Sequence, residues 1–327
     1  MSLTALGWDD AWAAAFARHG DGDGVPARVV RVDVDSCLVD DGSDGGERRV
    51  DATTLPAVGD WVVLDADRTR VVDVLPRRSQ LVRADARRRQ VLAANVDVVL
   101  VVTPMDADDA LDRLEREAAL AFASGARPVV VLTKSDLIAD DDDAVITGVR
   151  DRLPNVDVLV TSAASGEGIA AIAAELQPHA TGVLLGRSGG GKSSLTNALL
   201  GSDVIATSEV RSDGEGRHTT TSRRLWLLPA GGSLIDIPGL RSLGLAAAEE
   251  GVERLYEDVE ELARTCRFAD CHHDSTAPGC AVDAAINAGT LSAERVRRWQ
   301  QLRDEIDRHA TAAARAPRRS SRRRPSR

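Results

Sequence analysis

The spacing of apolar residues changes character twice along the chain. From Arg28 to about Arg83 they form short alternating runs, "ARVVRVDVDSCLV", "VGDWVVLDAD" and "TRVVDVLP", separated by turn chemistry in "DDGSDGG" and "PAVGD". Five or so short strands in fewer than sixty residues predict a small β-barrel of the OB-fold type. The arginine-rich stretch 77–90, "RRSQLVRADARRRQ", reads as a linker or barrel edge. At Val91 the rhythm shifts. "VLAANVDVVLVVT" is a nearly continuous apolar run, as in a parallel strand covered on both faces. A helix with Leu111, Leu114, Ala118 and Ala121 on one side follows. Then come strand "PVVVLT", a helix near 143–153, strand "VDVLVTS", a helix near 167–177, strand "TGVLLG" and a helix at 192–200, before "RRLWLLP" and "GSLIDIPG" add two more strands. This alternation predicts a doubly wound α/β domain with ligand at the carboxyl ends of its strands. Beyond Gly239 the strands stop. One helix should place Val252, Leu255, Val259 and Leu262 on a common face, and a last one, capped by Ser292, should present Val296, Trp299, Leu302 and Ile306.

The expected division is an N-terminal arm (1–27), the barrel (28–84), the α/β domain (85–240), a helical domain (241–310) and a disordered arginine-rich tail (311–327). The opening "MSLTALGWDDAWAAAF" lacks a basic start and a cleavage site, so it reads as a short surface helix or frayed arm, not a signal peptide. No run of eighteen apolar residues occurs, which predicts no membrane span, and a cytoplasmic monomer is expected.

Charge and composition sharpen this outline. The net charge is −10, yet the last seventeen residues hold seven arginines and no acid, a basic arm on an acidic body. Of 41 basic residues only Lys134 and Lys192 are lysines. A compact ammonium on a flexible stem is not replaced by a planar fork without changing geometry, so these two survivors mark sites. Lys192 falls in "GRSGGGKS", a G-x-x-x-x-G-K-S phosphate loop between a predicted strand and a predicted helix. Backbone N–H groups from Gly186 through Arg187, Ser188, Gly189, Gly190 and Gly191 to Ser194 would wrap phosphates. Lys192 would reach the β- and γ-phosphates and Ser193 would bind Mg²⁺. Asp236 in "DIPG" suits the same Mg²⁺, and Gly239 could sense the γ-phosphate. Lys134 falls in "TKSD". There Asp136 can accept two hydrogen bonds from guanine, the Lys134 stem can lie along the base, and in "TSA", with Ser162 as a further nucleotide-binding candidate, the Ala163 backbone N–H could meet the guanine oxygen. In chain order the base-reading motifs precede the phosphate loop. All of them still end parallel strands, so one crevice can hold them, as after a circular permutation.

The series "TKSD … TSA … GRSGGGKSSL … GRHTTT … DIPG", with its barrel, "AANVD" and a terminal cysteine cluster, resembles the circularly permuted GTPases. It is most similar to the ribosome small-subunit-dependent GTPase A family (RsgA, also called YjeQ), over residues of about 28 to 305. The resemblance implies GTP hydrolysis to GDP, stimulated by the small ribosomal subunit and its 16S rRNA, late in that subunit's maturation. It assigns 216–221 to the first switch, with Thr220 as the Mg²⁺ and γ-phosphate sensor and Thr219 and Thr221 as rivals. His218 would orient water, because Leu240 stands where many GTPases carry a glutamine. Thr133 stands where the family has asparagine, removing an amide that braces the base loop, and Gly190 where it usually has valine. A guanine-nucleotide-binding RNA module with little turnover is the competing reading, and a P-loop ATPase or kinase a third.

"CRFADCHHDSTAPGC" supplies Cys266, Cys271 and Cys280, with His272 and His273 as rival fourth ligands. Clustered cysteines without a secretory signal favour a metal over disulfides, and three thiolates with one imidazole suit a closed structural Zn²⁺ site. The family's C-x-H spacing implies His273. Cys37 stands alone and reads as barrel core, as Trp61 can. The arginines at 77–90 and 315–327 could contact RNA phosphates.

Overall fold

The computed structural model describes residues 2–19, 23–33, 36–53, 55–85, 88–106, 110–138, 142–203, 223–237, 248–274 and 277–315. Five short strands come first: β1 (Val25–Val32), β2 (Cys37–Asp40), β3 (Arg48–Ala52), β4 (Trp61–Leu64) and β5 (Arg70–Val74). β1 pairs with β2 and β4, β2 with β3, β4 with β5, and β3 runs parallel to β5. The circuit 1-2-3-5-4-1 closes, giving the expected five-stranded barrel. Alternate residues point inward, so Val29, Val39, Val50, Val62 and Leu64 fill it together with Cys37.

Trp61 faces the other way. The N-terminal segment, expected as a surface helix or frayed arm, covers it. Helix α1 (Asp10–Phe16), capped by the Asp9 carboxylate accepting from Trp12 N at 2.8 Å, buries Trp12 against Trp61 alongside Leu6. With Trp8 at 4.7 Å and Trp12 at 6.1 Å between ring centroids, Trp61 is core and offers no stacking surface.

The stretch 77–90 is not a linker. It enters an antiparallel hairpin, β6 (Gln80–Asp85) and β7 (Arg88–Ala94). The apolar run from Val91 is likewise two strands, because Asn95 adopts a left-handed conformation (φ 55°) between them. Its side chain accepts from Arg78 N and donates to the Gly59 carbonyl, both at 3.0 Å. Periodicity carries no trace of such a kink.

The α/β domain follows: β8 (Val98–Pro104), α2 (Ala110–Ala123), β9 (Arg127–Thr133), α3 (Asp142–Arg152), β10 (Asp157–Thr161), α4 (Ile169–Ala174), β11 (Thr181–Leu185), α5 (Lys192–Leu200), β12 (Arg223–Leu227) and β13 (Ser233–Asp236). The order is β10-β9-β8-β11-β13-β12, with β12 alone antiparallel. Along β8, Val99 and Val101 pack on one face and Val98, Leu100 and Val102 on the other, as a strand covered on both sides requires. β12 also pairs with β1, at Arg31–Arg224 and Val32–Arg223, so the sheet runs on into the barrel.

The carboxyl-terminal part is helical: α6 (Glu249–Leu255), α7 (Glu257–Ala263), α8 (Ala281–Asn287) and α9 (Ala293–Arg315). The single helix expected over 251–263 is broken at Tyr256 (φ −114°, ψ 34°), although Val252, Leu255 and Val259 keep a common buried face. Val296, Trp299, Leu302 and Ile306 are buried as the pattern predicts. Helices α6 and α2 cross so closely that a Cβ on Gly251 would lie 1.9 Å from the Ala119 carbonyl oxygen. Arginines tie α2 to α9 and α3 as well: Arg298 reaches Asp112 (2.7 Å) and Glu115 (3.2 Å), Arg152 reaches Glu115 (2.9 Å), and Arg116 reaches Glu305 (2.9 Å). Among the described residues no helix is long and apolar enough to cross a membrane.

Candidate functional site

The chain leaves β8 for β9 and β10 on one side, then returns to β11 on the other. A reversal of this kind opens a crevice above the carboxyl ends of the two strands, the usual ligand position in an open α/β sheet. The phosphate loop leaves β11 into this crevice. Gly186 takes φ 144° and sits so near β8 that a Cβ would meet the Val102 carbonyl oxygen at 2.1 Å. Only glycine lets the loop turn there. Gly191 (φ 90°) opens α5. Lys192 donates from Nζ to the carbonyls of Gly186 (2.7 Å) and Arg187 (2.5 Å). Arg187, Ser188, Gly189 and Ser194 are exposed along the loop, with Ser193 half-buried beside Lys192.

Thr133 closes β9, and its hydroxyl donates to the Gly190 carbonyl at 2.8 Å in a buried contact. This single bond joins the TKSD turn to the phosphate loop across 57 positions of sequence. The brace expected to be lost with asparagine is supplied by the shorter hydroxyl. Lys134 then turns left-handed (φ 63°) and Asp136 stands exposed. Its carboxylate accepts from Ser162 Oγ at 2.5 Å, while Ser162 Oγ accepts from the backbone N–H of Ala164 and Ser165, each at 3.2 Å. Glu167 ties the two base-side turns together, accepting from Ser135 Oγ (2.9 Å) through its carboxylate and from Thr161 Oγ1 (2.7 Å) through its carbonyl. Ala163 follows Ser162 in the same turn. Asp236 ends β13, one strand beyond β11, where burial pushes its carboxyl up against the opposing pull of the Lys192 charge.

A second group lies in the helical part. One ligand atom each from Cys266, Cys271, His273 and Cys280 falls within 4.8 Å of all the others. Cys266 Sγ lies 3.9 Å from Cys280 Sγ and 3.5 Å from His273 Nδ1. A zinc tetrahedron with bonds of about 2.0–2.3 Å has edges of roughly 3.5–3.8 Å, so the donor set fits Zn²⁺. Ala281 N and Asp283 N donate to Cys266 Sγ (3.4 Å) and Cys280 Sγ (3.3 Å), contacts that suit thiolates. His273 adopts φ 55° and its ring sits 5.2 Å from that of Trp299. His272 contributes its carbonyl to Gln300 Nε2 and stays outside the group.

The sequence model of the RsgA GTPase family matches residues 74–246. The small ribosomal subunit biogenesis GTPase RsgA of Streptomyces coelicolor is 44% identical over 322 residues, spanning 94% of this chain and 87% of that protein. The chain belongs to the RsgA GTPase family. The protein of the same description from Xanthomonas axonopodis pv. citri is 41% identical over 93% of this chain and 88% of its own length. Two solved structures share the fold of this RsgA-family chain. YjeQ from Thermotoga maritima has a TM-score of 0.64 at 23% identity, covering 86% of this chain and 98% of its own. YloQ, described as a circularly permuted GTPase, also has a TM-score of 0.64 at 23% identity, covering 89% and 97%.

His218, Thr220 and Gly239, with Thr219, Thr221 and Leu240, lie outside the described residues. Two charged residues near the crevice went unread in the RsgA-family sequence. Arg113 and Glu117 on α2 look there like an ordinary exposed i,i+4 pair, yet both are largely buried, and Arg113 Nη2 donates to Thr103 Oγ1 (2.5 Å) at the end of β8. Glu115 and Glu117, two positions apart on α2, face opposite sides of the helix, and the fold turns Glu117 towards the Arg113 side and Glu115 towards Arg152.

Proposed function

We propose that this chain hydrolyses GTP to GDP and phosphate and works in biogenesis of the small ribosomal subunit, binding that subunit and its 16S rRNA. The observation that carries this reading is the Thr133–Gly190 bond, which brings base-reading and phosphate-reading loops into one crevice. The names and lengths of the relatives support the biological setting.

In this reading Asp136, held by Ser162, takes the paired N–H donors of guanine, a pair adenine lacks. Lys134 lies along the base, and the Ala163 N–H meets the guanine oxygen. The backbone from Gly186 to Ser194 receives the phosphates. Lys192 leaves its two loop carbonyls for phosphate oxygens, since its flexible stem allows the change and a charged acceptor holds an ammonium more strongly than a carbonyl. Ser193, Thr220 and Asp236 would hold Mg²⁺, which neutralises charge building on the phosphates. Gly239 senses the γ-phosphate. Leu240 cannot orient water, so unstimulated turnover is slow, and His218 orients water when the small subunit is bound. The Cys266–Cys271–His273–Cys280 set would hold a structural Zn²⁺ that fixes the start of α8.

Phosphate release from GTP and ATP, measured alone and with small or large subunits, tests the reading. GTP-specific release that rises only with small subunits is expected. Replacing His218 by alanine should abolish the rise and spare GTP binding. The absence of glutamine at Leu240 favours one alternative, a guanine-nucleotide-binding RNA module that barely turns over. Unchanged release on adding small subunits would support it.

A further inference from the structure

Glu117 is a buried carboxylate that none of the roles above uses. Its Oε2 has no hydrogen-bond partner among the described residues, and its Oε1 lies 3.8 Å from Arg113 Nε, an ion-pair distance too long for a hydrogen bond. Keeping an acid in such a place is costly unless a charge answers it. The groups acting on it are few. Arg113 comes from its own helix and Lys192 from the phosphate loop. The adjoining strand β8 offers the uncharged Thr103, and α6 meets α2 through Gly251. Among the described residues, the phosphate-loop lysine is thus a cation whose field reaches Glu117.

The position has a structural logic. Arg113 grips Thr103. The residues on either side of Thr103 carry the loop: Gly186 lies against the Val102 carbonyl, and Gly190 sits near Pro104. Glu117, Arg113 and Thr103 therefore lead from α2 to the underside of the phosphate loop.

We propose that Glu117 is a positioning residue of the nucleotide site, competing with nucleotide phosphates for the Lys192 ammonium and so setting the affinity for guanosine phosphates. This rests on the nucleotide-binding reading above. A carboxylate whose field reaches Lys192 lowers the gain the lysine makes on moving to phosphate, and it repels the polyanion. A protonated Glu117 does neither. Burial pushes this carboxyl up to about 7, against the opposing pull of Arg113 and Lys192, so the residue changes charge near neutrality. Phosphate arriving beside it favours the protonated form. Binding is therefore tighter at low pH and weakens as pH rises through 7.

The test is equilibrium binding of fluorescent GDP and of a fluorescent non-hydrolysable GTP analogue, from pH 6 to pH 8. Wild type is compared with Glu117→Gln, which keeps the shape and loses the charge, and with Glu117→Asp, which keeps the acid. The nucleotide's own titration is common to all three. Glu117→Gln should match wild type at pH 6 and bind roughly fivefold tighter at pH 8, the change expected there for one unit of coupled pKa displacement from about 7. Glu117→Asp should keep a pH-dependent affinity. A Gln-to-wild-type ratio that stays constant with pH, or weaker binding by the Gln variant at pH 8, would overturn the proposal. A pH-independent affinity in the Asp variant would do the same, and would decide the matter if the Gln variant failed to fold. Failure of wild type to bind either nucleotide would instead refute the nucleotide-binding reading.

Discussion

Replacing Thr133 by valine isolates the bond between the TKSD turn and the phosphate loop. Valine matches threonine in shape, so packing of the side chain, 4% exposed, is preserved. What disappears is the hydroxyl that donates to the Gly190 carbonyl at 2.8 Å. Gly190 is itself buried, so its carbonyl is left without this donor where water reaches it poorly. A buried acceptor stranded in this way costs about 1–3 kcal/mol. Part of that cost falls on folding. The rest falls on binding, because TKSD and the phosphate loop lose their common reference, and in the proposed complex they grip opposite ends of one ligand. If half the cost appears in binding, about 0.5–1.5 kcal/mol, guanine-nucleotide affinity drops roughly two- to twelvefold. Titration with a fluorescent GDP, alongside urea unfolding, reads both portions. Thr133→Ser, which retains the hydroxyl, should stay close to wild type. A valine variant with affinity within about twofold of wild type and an unchanged urea midpoint would show that the bond braces nothing.

Three further outcomes follow from the geometry. Glu117→Gln should stabilise the fold at pH 8 by on the order of 3 kcal/mol and by almost nothing below pH 4.5. The carboxyl stays protonated in the folded chain up to about 7, while the unfolded chain ionises from 4.5, so the wild-type penalty grows between those values and is complete above them. Urea midpoints across that range check this, and a pH-independent gain would contradict it. Purified protein should carry one zinc per chain by elemental analysis, and chelation under mild denaturant should change Trp299 fluorescence, since the His273 ring lies 5.2 Å away. Gly251→Ala should destabilise the junction of α2 and α6 by about 1–3 kcal/mol despite alanine's better helix propensity, because its methyl would fall 1.9 Å from the Ala119 oxygen. An unfolding curve equal to or better than wild type would disprove so close a crossing.

The legible parts of this molecule are those where local chemistry and fold coincide. The alternation over 28–75 became a closed barrel because its turns left strands too short to do otherwise. The buried strands β8, β9 and β11 could be read because covering both faces demands continuous Val and Leu. "GRSGGGKS" was legible because the glycine positions are dictated by a backbone approach that Gly186 makes visible. The cysteine group could be read because ligand identity is rare and spacing short. Other features depended on partners distant in sequence. Trp8 and Trp12 looked exposed until Trp61, some fifty positions on, became their partner. The kink at Asn95 is fixed by Arg78 and Gly59. Thr133 seemed a loss until Gly190 arrived beside it. Glu117 carries no motif, and only burial distinguishes it from the surface acids around it.

The pairing of β12 with β1 has a consequence for anyone who would divide the chain. β12 is the outermost strand of the nucleotide-binding sheet, and the barrel is what covers its free edge. An unprotected edge offers a row of unused amides and carbonyls to any passing strand. A fragment beginning at β8, tidy as its boundary looks, would carry that open row and stick to its own copies. The small barrel thereby acts as a stopper for the larger sheet, a duty separate from whatever it touches elsewhere.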